Sequence, residues 1–202
     1  KQDENFYYLS EDLSNNWNIF FLASKNDCKN FNNSKLIKLN NFTETFPPFR
    51  CNLEIFNSKG GFSSYQSEYP QLMMSKSGIV VSPIFNLLDN KNQKNFIFFK
   101  NIIDKLKNLK FEGYLVNVKK KKIEKKIELL NNFSNFFEVD NSLIHPEIYF
   151  VTNKYLGIPL FISINNNHIS FEHTHPQLEY IQSPDRFLKI KQFKNEIYEI
   201  IS

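Results

Sequence analysis

Apolar and polar residues alternate along the last third of the chain in a pattern that predicts antiparallel strands. Residues 147–151 and 156–164 are two predicted strands with many β-branched and aromatic side chains. Residues 165–167 are three consecutive asparagines, which favour a tight turn because asparagine tolerates a positive φ angle. The alternation resumes over residues 168–174. We therefore predict a β-hairpin at 156–174, preceded by one further strand.

The final residues predict an amphipathic α-helix. Ser183 suits the N-cap position, and Pro184 suits the first helical position because its missing N–H is not needed there. One helix face is then predicted from the 3.6-residue spacing of Phe187, Ile190, Ile197 and Ile201, with either Phe193 or Lys194 between them. This face is expected to pack against a sheet.

Shorter strands are predicted upstream, separated by turns that contain Asn, Ser, Gly and Pro. These strands cover residues 6–9, 17–22, 36–39, 52–56, 77–85 and 111–118. The residues from 62 to 74 carry many hydroxyl groups and are predicted to be loop-like. A loop of this composition would suit a segment that faces a ligand.

Two segments fit more than one structure. Residues 95–109 have apolar positions at helical spacing, yet the Phe-Ile-Phe-Phe sequence within them is also typical of a strand. Residues 119–130 fit either an amphipathic helix or a β-hairpin with lysines in its turn. We favour the hairpin, with Ile123, Ile127 and Leu129 on its inward face. In both structures the lysines form a solvated face.

Together these elements predict an α+β fold that is β-rich. We expect a mainly antiparallel sheet or sandwich with the C-terminal helix packed on it. The hydrophobic fraction of 41% and the aromatic fraction of 16% are sufficient for a packed core. The sequence has no internal repeat and no low-complexity linker, so residues 1–202 are expected to form a single domain.

The net charge of +4 would allow a nucleic-acid partner, but the kind of basic residue argues against one. Among the 25 lysines and arginines only Arg50 and Arg186 are arginine, the residue that makes bidentate contacts with phosphates and bases. The abundance of lysine, asparagine, isoleucine and phenylalanine is instead typical of an A+T-rich coding sequence.

The expected location is cytoplasmic, without a membrane partner. Cys28 and Cys51 form neither a disulfide framework nor a zinc motif. No apolar run approaches the ~18 residues that a membrane-spanning helix needs.

Near the end of the chain, histidines are concentrated. Three of the four fall within eight residues, together with a glutamate, at His168, Glu172, His173 and His175. Because side chains alternate on a strand, His173 and His175 should share the apolar face of Phe171, and Glu172 should point to the other face.

His173 and His175 predict a site for a divalent transition metal, with zinc, iron and manganese as candidates. Two positions apart on a strand, their Cα atoms lie roughly 6–7 Å from each other, so both imidazoles can converge on one ion. A third ligand would have to come from His145 or Glu68, because Glu172 is expected on the wrong face.

Other polar residues complete the predicted site. Glu68 and Glu172 are candidate acid–base groups, and Tyr65, Gln66 and Tyr69 are expected to line the pocket. Two alternatives remain open for the histidines: a metal-free acid–base site, or a purely structural pair that is hydrogen-bonded at a strand end.

The functional hypothesis is a small metal-assisted hydrolase or lyase that acts on a polar small molecule or sugar. The alternative is a non-catalytic β-rich domain that binds a glycan or a protein through exposed aromatic residues. The sequence contains no GxSxG motif, no P-loop and no GxGxxG motif, so a serine-hydrolase elbow and the common nucleotide-binding loops are not indicated.

Overall fold

The computed structural model describes residues 2–3, 6–7, 51–56, 61–67, 77–87, 93–101, 109–131, 133–166, 168–173 and 184–202. These described residues form twelve β-strands, one α-helix and a short 3-10 helix at Asn141–Leu143. The strands and the α-helix are β1 Gln2–Asp3, β2 Phe6–Tyr7, β3 Cys51–Phe56, β4 Phe62–Ser67, β5 Val80–Pro83, β6 Lys94–Asn101, β7 Lys110–Asn117, β8 Lys122–Leu130, β9 Phe133–Val139, β10 Ile148–Thr152, β11 Ile158–Ile164, β12 Ile169–His173 and α1 Arg186–Ile201.

Most of these strands belong to two antiparallel four-stranded sheets. The first sheet has the order β5-β10-β7-β8, and the second sheet has the order β12-β11-β6-β9. The pairs β1–β2 and β3–β4 are separate two-stranded units. The predicted β-rich α+β class with antiparallel sheets is confirmed.

The main core fills the space between the two sheets. Phe99 of the second sheet is fully buried and contacts Phe111 and Phe150 of the first sheet, with ring centroids 6.3 and 5.2 Å apart. Phe137 contacts Phe150 in the same layer at 5.9 Å. These edge-on and tilted ring contacts join the two sheets face to face, which makes the arrangement a sandwich.

A glycine allows close packing within this layer. Gly113 of β7 lies beneath the side chains of Leu129 and Phe150, and a Cβ atom at this position would lie 2.7 Å from Leu129 Cδ1 and 3.2 Å from Phe150 Cε2. The two neighbouring side chains therefore occupy the space that any other residue at 113 would need.

The helix α1 covers part of the outer face of the first sheet. Its buried residues Ile197 and Ile201 pack with Tyr114, Val116 and Val151. The predicted packing of a C-terminal helix on a sheet is therefore confirmed.

Two details of the helix prediction were wrong. The helix begins at Arg186 rather than at Pro184, and its N-cap residue is Asp185, which makes no side-chain capping hydrogen bond. The Asp185 carboxylate instead lies 3.3 Å from Lys189 Nζ, one turn along the helix. Phe187 was expected to face the sheet but is 69% exposed, because the buried side chains of α1 lie in its C-terminal half.

Six strand predictions are confirmed, within the bounds given above. They are β3 (predicted at 52–56), β5 (77–85), β7 (111–118), β10 (147–151), β11 (156–164) and β12 (168–174). The prediction at 6–9 coincides with β2, and those at 17–22 and 36–39 lie outside the described residues. The ambiguous segment 95–109 is a strand as far as Asn101, and residues 102–108 are not described.

The loop-like prediction for residues 62–74 was wrong in its first part. Phe62–Ser67 is the strand β4, which pairs with β3 along its whole length. The sequence of β4 lacks a regular alternation of apolar and polar residues, so its pairing with β3 was not recognised.

The β-hairpin at 119–130 is confirmed, since β7 and β8 are paired antiparallel strands joined by a turn. The inward face was predicted incorrectly. A bulge shifts the register between Leu115 and Val116, so that Ile123 packs on the helix side of the sheet. Ile127 and Leu129 pack on the opposite side, in the core between the sheets. One extra residue in a strand reverses the alternation on either side of it.

The strand β9 was not predicted from the sequence. This edge strand pairs with β6, and its inward face includes Asn135 as well as Phe137 and Val139. A buried asparagine interrupts the apolar alternation by which a strand is recognised.

Asn135 fixes the corner where the chain passes from the first sheet to the second. Its Oδ1 accepts a hydrogen bond from Leu130 N at 2.8 Å, and its Nδ2 donates to the carbonyl oxygens of Leu130, Phe133 and Phe99 at 2.8 to 3.3 Å. One amide side chain thereby replaces the strand partners that the backbone loses at the corner.

We predict that Asn135→Ala lowers the free energy of unfolding by about 2–3 kcal/mol, because buried backbone groups lose their partners. Urea denaturation measures the difference. Asn153→Ala, in the exposed turn after β10, is the control and should change stability by less than about 0.5 kcal/mol. Equal stability of the Asn135 variant and the wild type would contradict the assigned role.

Candidate functional site

The strand that carries the predicted metal ligands forms a hairpin with β11. Asn165 N donates to His168 O at 3.0 Å, and His168 N donates to Asn165 Oδ1 at 2.9 Å, which closes the turn. The predicted hairpin is therefore confirmed, and the asparagine side chain holds it in register.

Side chains of β12 alternate as predicted from the sequence. Phe171 is buried, and Ile169 and His173 on the same face are partly buried. Ser170 and Glu172 on the other face are exposed. His173 therefore stands at the end of an apolar stripe, and Glu172 points away from it.

The backbone of His173 is held from two sides. Its Cα partner in β11 is Leu160, which is buried in the apolar cluster on the outer face of the second sheet. Its carbonyl oxygen accepts a hydrogen bond from Asn86 Nδ2 at 3.3 Å. Asn86 lies in the turn after β5, between the fully buried Ile84 and Leu87. The hydrogen bond from this turn therefore links the end of β12 to β5, the edge strand of the first sheet.

The structure brings two predicted site segments close together. The strand β4, which contains Tyr65 and Gln66, lies beside β12, with Cα atoms of the two strands within 8 Å. They belong to different sheets, and no ladder of hydrogen bonds joins them. Cα atoms of β3 also lie within 8 Å of β12, so both strands of the β3–β4 pair are near the edge of the second sheet.

Of the predicted residues, His175, Glu68 and Tyr69 lie outside the described residues, and the side chains of Tyr65 and Gln66 are not described. Their roles stay predictions.

The contacts described for His145 are local. It is exposed in the segment before β10, its Nδ1 accepts a hydrogen bond from Glu147 N at 3.2 Å, and the same atom lies 3.8 Å from Glu147 Oε2. Lys119 Nζ lies 2.9 Å from the other oxygen of this carboxylate. The hydrogen bond from Lys119 lowers the pKa of Glu147, and the positive charge acts in the same direction.

Metal-ligating side chains are scattered in the part of the chain that the structure describes. There, no three or more His, Cys, Asp or Glu residues form a group that could hold a metal ion. Of the two predicted metal ligands that the structure describes, His145 and His173, only His173 lies on β12, the strand beside β4. A three-ligand site at this position needs residues beyond the described ones.

Several lysines of the β7–β8 hairpin are paired with glutamates. Lys122 lies 2.8 Å from Glu124, and Lys110 lies 2.9 Å from Glu128. These exposed pairs agree with the predicted solvated face, and such pairs contribute little to stability.

Asn86 is the residue near this site that sequence analysis missed. It is a single polar residue in an apolar turn, with no motif or periodicity, and its contact with His173 spans 87 positions along the chain. Only the fold relates the two residues.

Among the described helices, none combines the length and the apolar character that a membrane span requires.

The comparisons with known proteins found no matching family model, no matching curated protein and no matching solved structure. Any functional proposal therefore rests on the residues and geometry described above.

We predict that Asn86→Ala loosens the end of β12. Loss of the hydrogen bond to His173 O should lower the free energy of unfolding by about 1 kcal/mol and speed hydrogen exchange of the β12 amides. Denaturation and amide exchange measure the two effects. Asn166→Ala, an exposed change in the β11–β12 turn, is the matched control. Unchanged exchange along β12 in the Asn86 variant would show that this contact does not fix the strand end.

Proposed function

We propose that the junction of β4 and β12 is a ligand site, and that the chain is a small metal-assisted hydrolase or lyase acting on a polar small molecule or sugar. The supporting observation is the proximity of β4 to β12, whose Cα atoms approach within 8 Å. These strands are about one hundred positions apart in the sequence and each carries residues predicted independently to form a site. Their proximity supports a shared site.

In this proposal His173 and His175 hold a zinc, iron or manganese ion. His173 suits this role because its backbone is fixed by Leu160 and Asn86 and its side chain is partly buried at the end of an apolar stripe. Such surroundings limit the competition of water for a ligand and fix its direction. A metal bound there would polarise a substrate oxygen or lower the pKa of a bound water.

Glu68 is the better candidate for the third ligand. It follows Ser67, the last residue of β4, directly in the sequence, and β4 lies beside β12. His145, by contrast, is already engaged with Glu147 in the segment before β10. Tyr65, Gln66 and Tyr69 come from the same part of the chain as Glu68 and are proposed to contact the substrate.

Metal analysis of the purified protein tests this proposal. We expect about one transition-metal ion per chain in the wild type, as in a mononuclear site. His173→Ala should lower the occupancy by about tenfold or more, since even changes behind a ligand cost about 10–100-fold in affinity. His168→Ala is the matched control, because His168 is exposed in the turn of the same hairpin.

Two results would contradict the metal site. One is a folded wild-type protein that remains metal-free after incubation with each of the three ions. The other is full metal occupancy in a folded His173→Ala variant.

Exposed aromatic residues on α1 favour a second candidate, a non-catalytic domain that binds a glycan or a protein. Phe187 is 69% exposed, Leu188 is 56% exposed and Tyr198 is 50% exposed. Arg186 lies over the ring of Phe187, with 4.6 Å between the guanidinium carbon and the ring centroid. Exposed aromatic and arginine side chains are the residue types that most often supply binding energy at interfaces.

A defined glycan panel separates the two candidates. If α1 binds a glycan, Phe187→Ser should weaken binding by about fivefold or more, because it removes a large contact at little structural cost. His173→Ala should then bind as the wild type does. Loss of binding in His173→Ala with retention in Phe187→Ser would instead place the sugar at the β4–β12 junction, and no binding by the wild type would reject glycan binding through α1.

A further inference from the structure

A concavity with charged residues lies on the β7–β8 hairpin, apart from the residues assigned to the β4–β12 junction. Its volume is about 390 Å³, within the range of small-molecule sites. It is lined by two lysines, two glutamates and two apolar residues, at Lys110, Phe111, Glu112, Lys126, Ile127 and Glu128. The side chains of Phe111 and Ile127 point into the core between the sheets, so the four charged side chains are the ones available to a ligand. We call the concavity lined by these six residues the hairpin cavity.

Two carboxylates face each other in the hairpin cavity. Glu112 of β7 and Glu128 of β8 are direct cross-strand partners, an arrangement that is destabilising for like charges. Lys110 Nζ lies 2.9 Å from Glu128 Oε1, whereas Lys126 Nζ lies 3.9 Å from Glu112 Oε2. The second ion pair is long, so Glu112 is only weakly neutralised.

Tyr114 fixes the orientation of the Glu112 side chain. Its hydroxyl donates a hydrogen bond to Glu112 Oε2, and the residue is only 2% exposed. Burial and the neighbouring Glu112 carboxylate raise the pKa of Tyr114 to about 12, so the hydroxyl keeps its proton and remains a donor at neutral pH. Lys126 Nζ lies 5.7 Å from the centre of the Tyr114 ring, which holds this ammonium group beside the cavity.

We infer that the hairpin cavity binds a small zwitterion, a molecule that carries an ammonium group and a carboxylate, as free amino acids do. The ammonium group of the ligand lies between Glu112 and Glu128 and relieves their repulsion. Its carboxylate contacts the ammonium groups of Lys110 and Lys126.

The charge balance of the cavity selects this class of ligand. Two carboxylates and two ammonium groups give no net charge, so neither a simple cation nor a simple anion gains from the whole site. A zwitterion satisfies both kinds of group at once and needs no counter-ion. The side chains of both glutamates and both lysines are more than half exposed, so a ligand reaches them from solvent.

Glycine is a suitable probe. Methylammonium, which carries only an ammonium group, and acetate, which carries only a carboxylate, are the comparison ligands. Backbone amide shifts of residues 110–114 and 126–129 are followed by NMR at constant ionic strength. We expect saturable shifts with glycine and weaker, non-saturating shifts with either comparison ligand alone. Glu112→Gln should lower the affinity for glycine about tenfold, since one charged hydrogen-bond partner is lost while the amide oxygen still accepts from Tyr114.

Glu124→Gln is the matched control. Glu124 lies on the same strand as Glu128, pairs with Lys122 and does not line the cavity. Its variant should bind glycine as the wild type does. Glu128→Gln serves as a second test variant, and circular dichroism verifies that each variant is folded.

Three results would overturn the inference. They are the absence of saturable shifts with glycine, equal shifts with methylammonium alone, and unchanged affinity in both Glu112→Gln and Glu128→Gln.

Discussion

The contact between Phe99 and the aromatic residues of the opposite sheet determines which way most other side chains point. Phe99 faces the first sheet, so its neighbour Phe98 must face outward. The antiparallel pairing passes this orientation on to the adjacent strands: Phe98 is opposite Leu160, and Leu160 is opposite His173. The position of His173 on the outer face of the second sheet thus follows from the packing of one phenylalanine two strands away.

The same aromatic layer makes the buried asparagines necessary. A sandwich has corners and edges at which strands lose their backbone partners, and unpaired backbone groups are costly in an apolar interior. Asn135 supplies hydrogen bonds at the corner between β8 and β9. At the other end of the second sheet, Ser163 donates to Asn95, and Asn95 donates to Asn141, each at 2.6 Å. Asn135 thus replaces backbone partners at its corner, whereas Ser163, Asn95 and Asn141 satisfy one another's polar side chains, so both groups are accommodated beside the apolar core.

Sequence alone predicted the elements whose alternation is local and regular. The strands β10, β11 and β12, the packing of α1, and the face on which His173 lies all follow from periodicities within a few residues. The elements that could not be predicted are those whose structure is determined by a partner strand or side chain. β4 is polar and pairs with β3, β9 contains the buried Asn135, and the bulge that reverses Ile123 is visible only in the pairing of β7 with β8. The contact of Asn86 with His173 could not be predicted either, because it requires the two sheets to be in place.

The β4–β12 junction and the hairpin cavity both lie on outer faces of the sandwich, at positions that apolar side chains do not cover. Alternation gives each sheet one face toward the aromatic core and one face away from it, and only part of each outer face is covered by apolar side chains. On the first sheet, α1 packs over Val116 and Val151, whereas Glu112 and Lys126 on the same face remain exposed. On the second sheet, the apolar stripe of β12 ends at His173. None of the described charged residues is buried, because a charged or metal-binding group placed between the sheets would have to replace the phenylalanine contacts that hold the sandwich together.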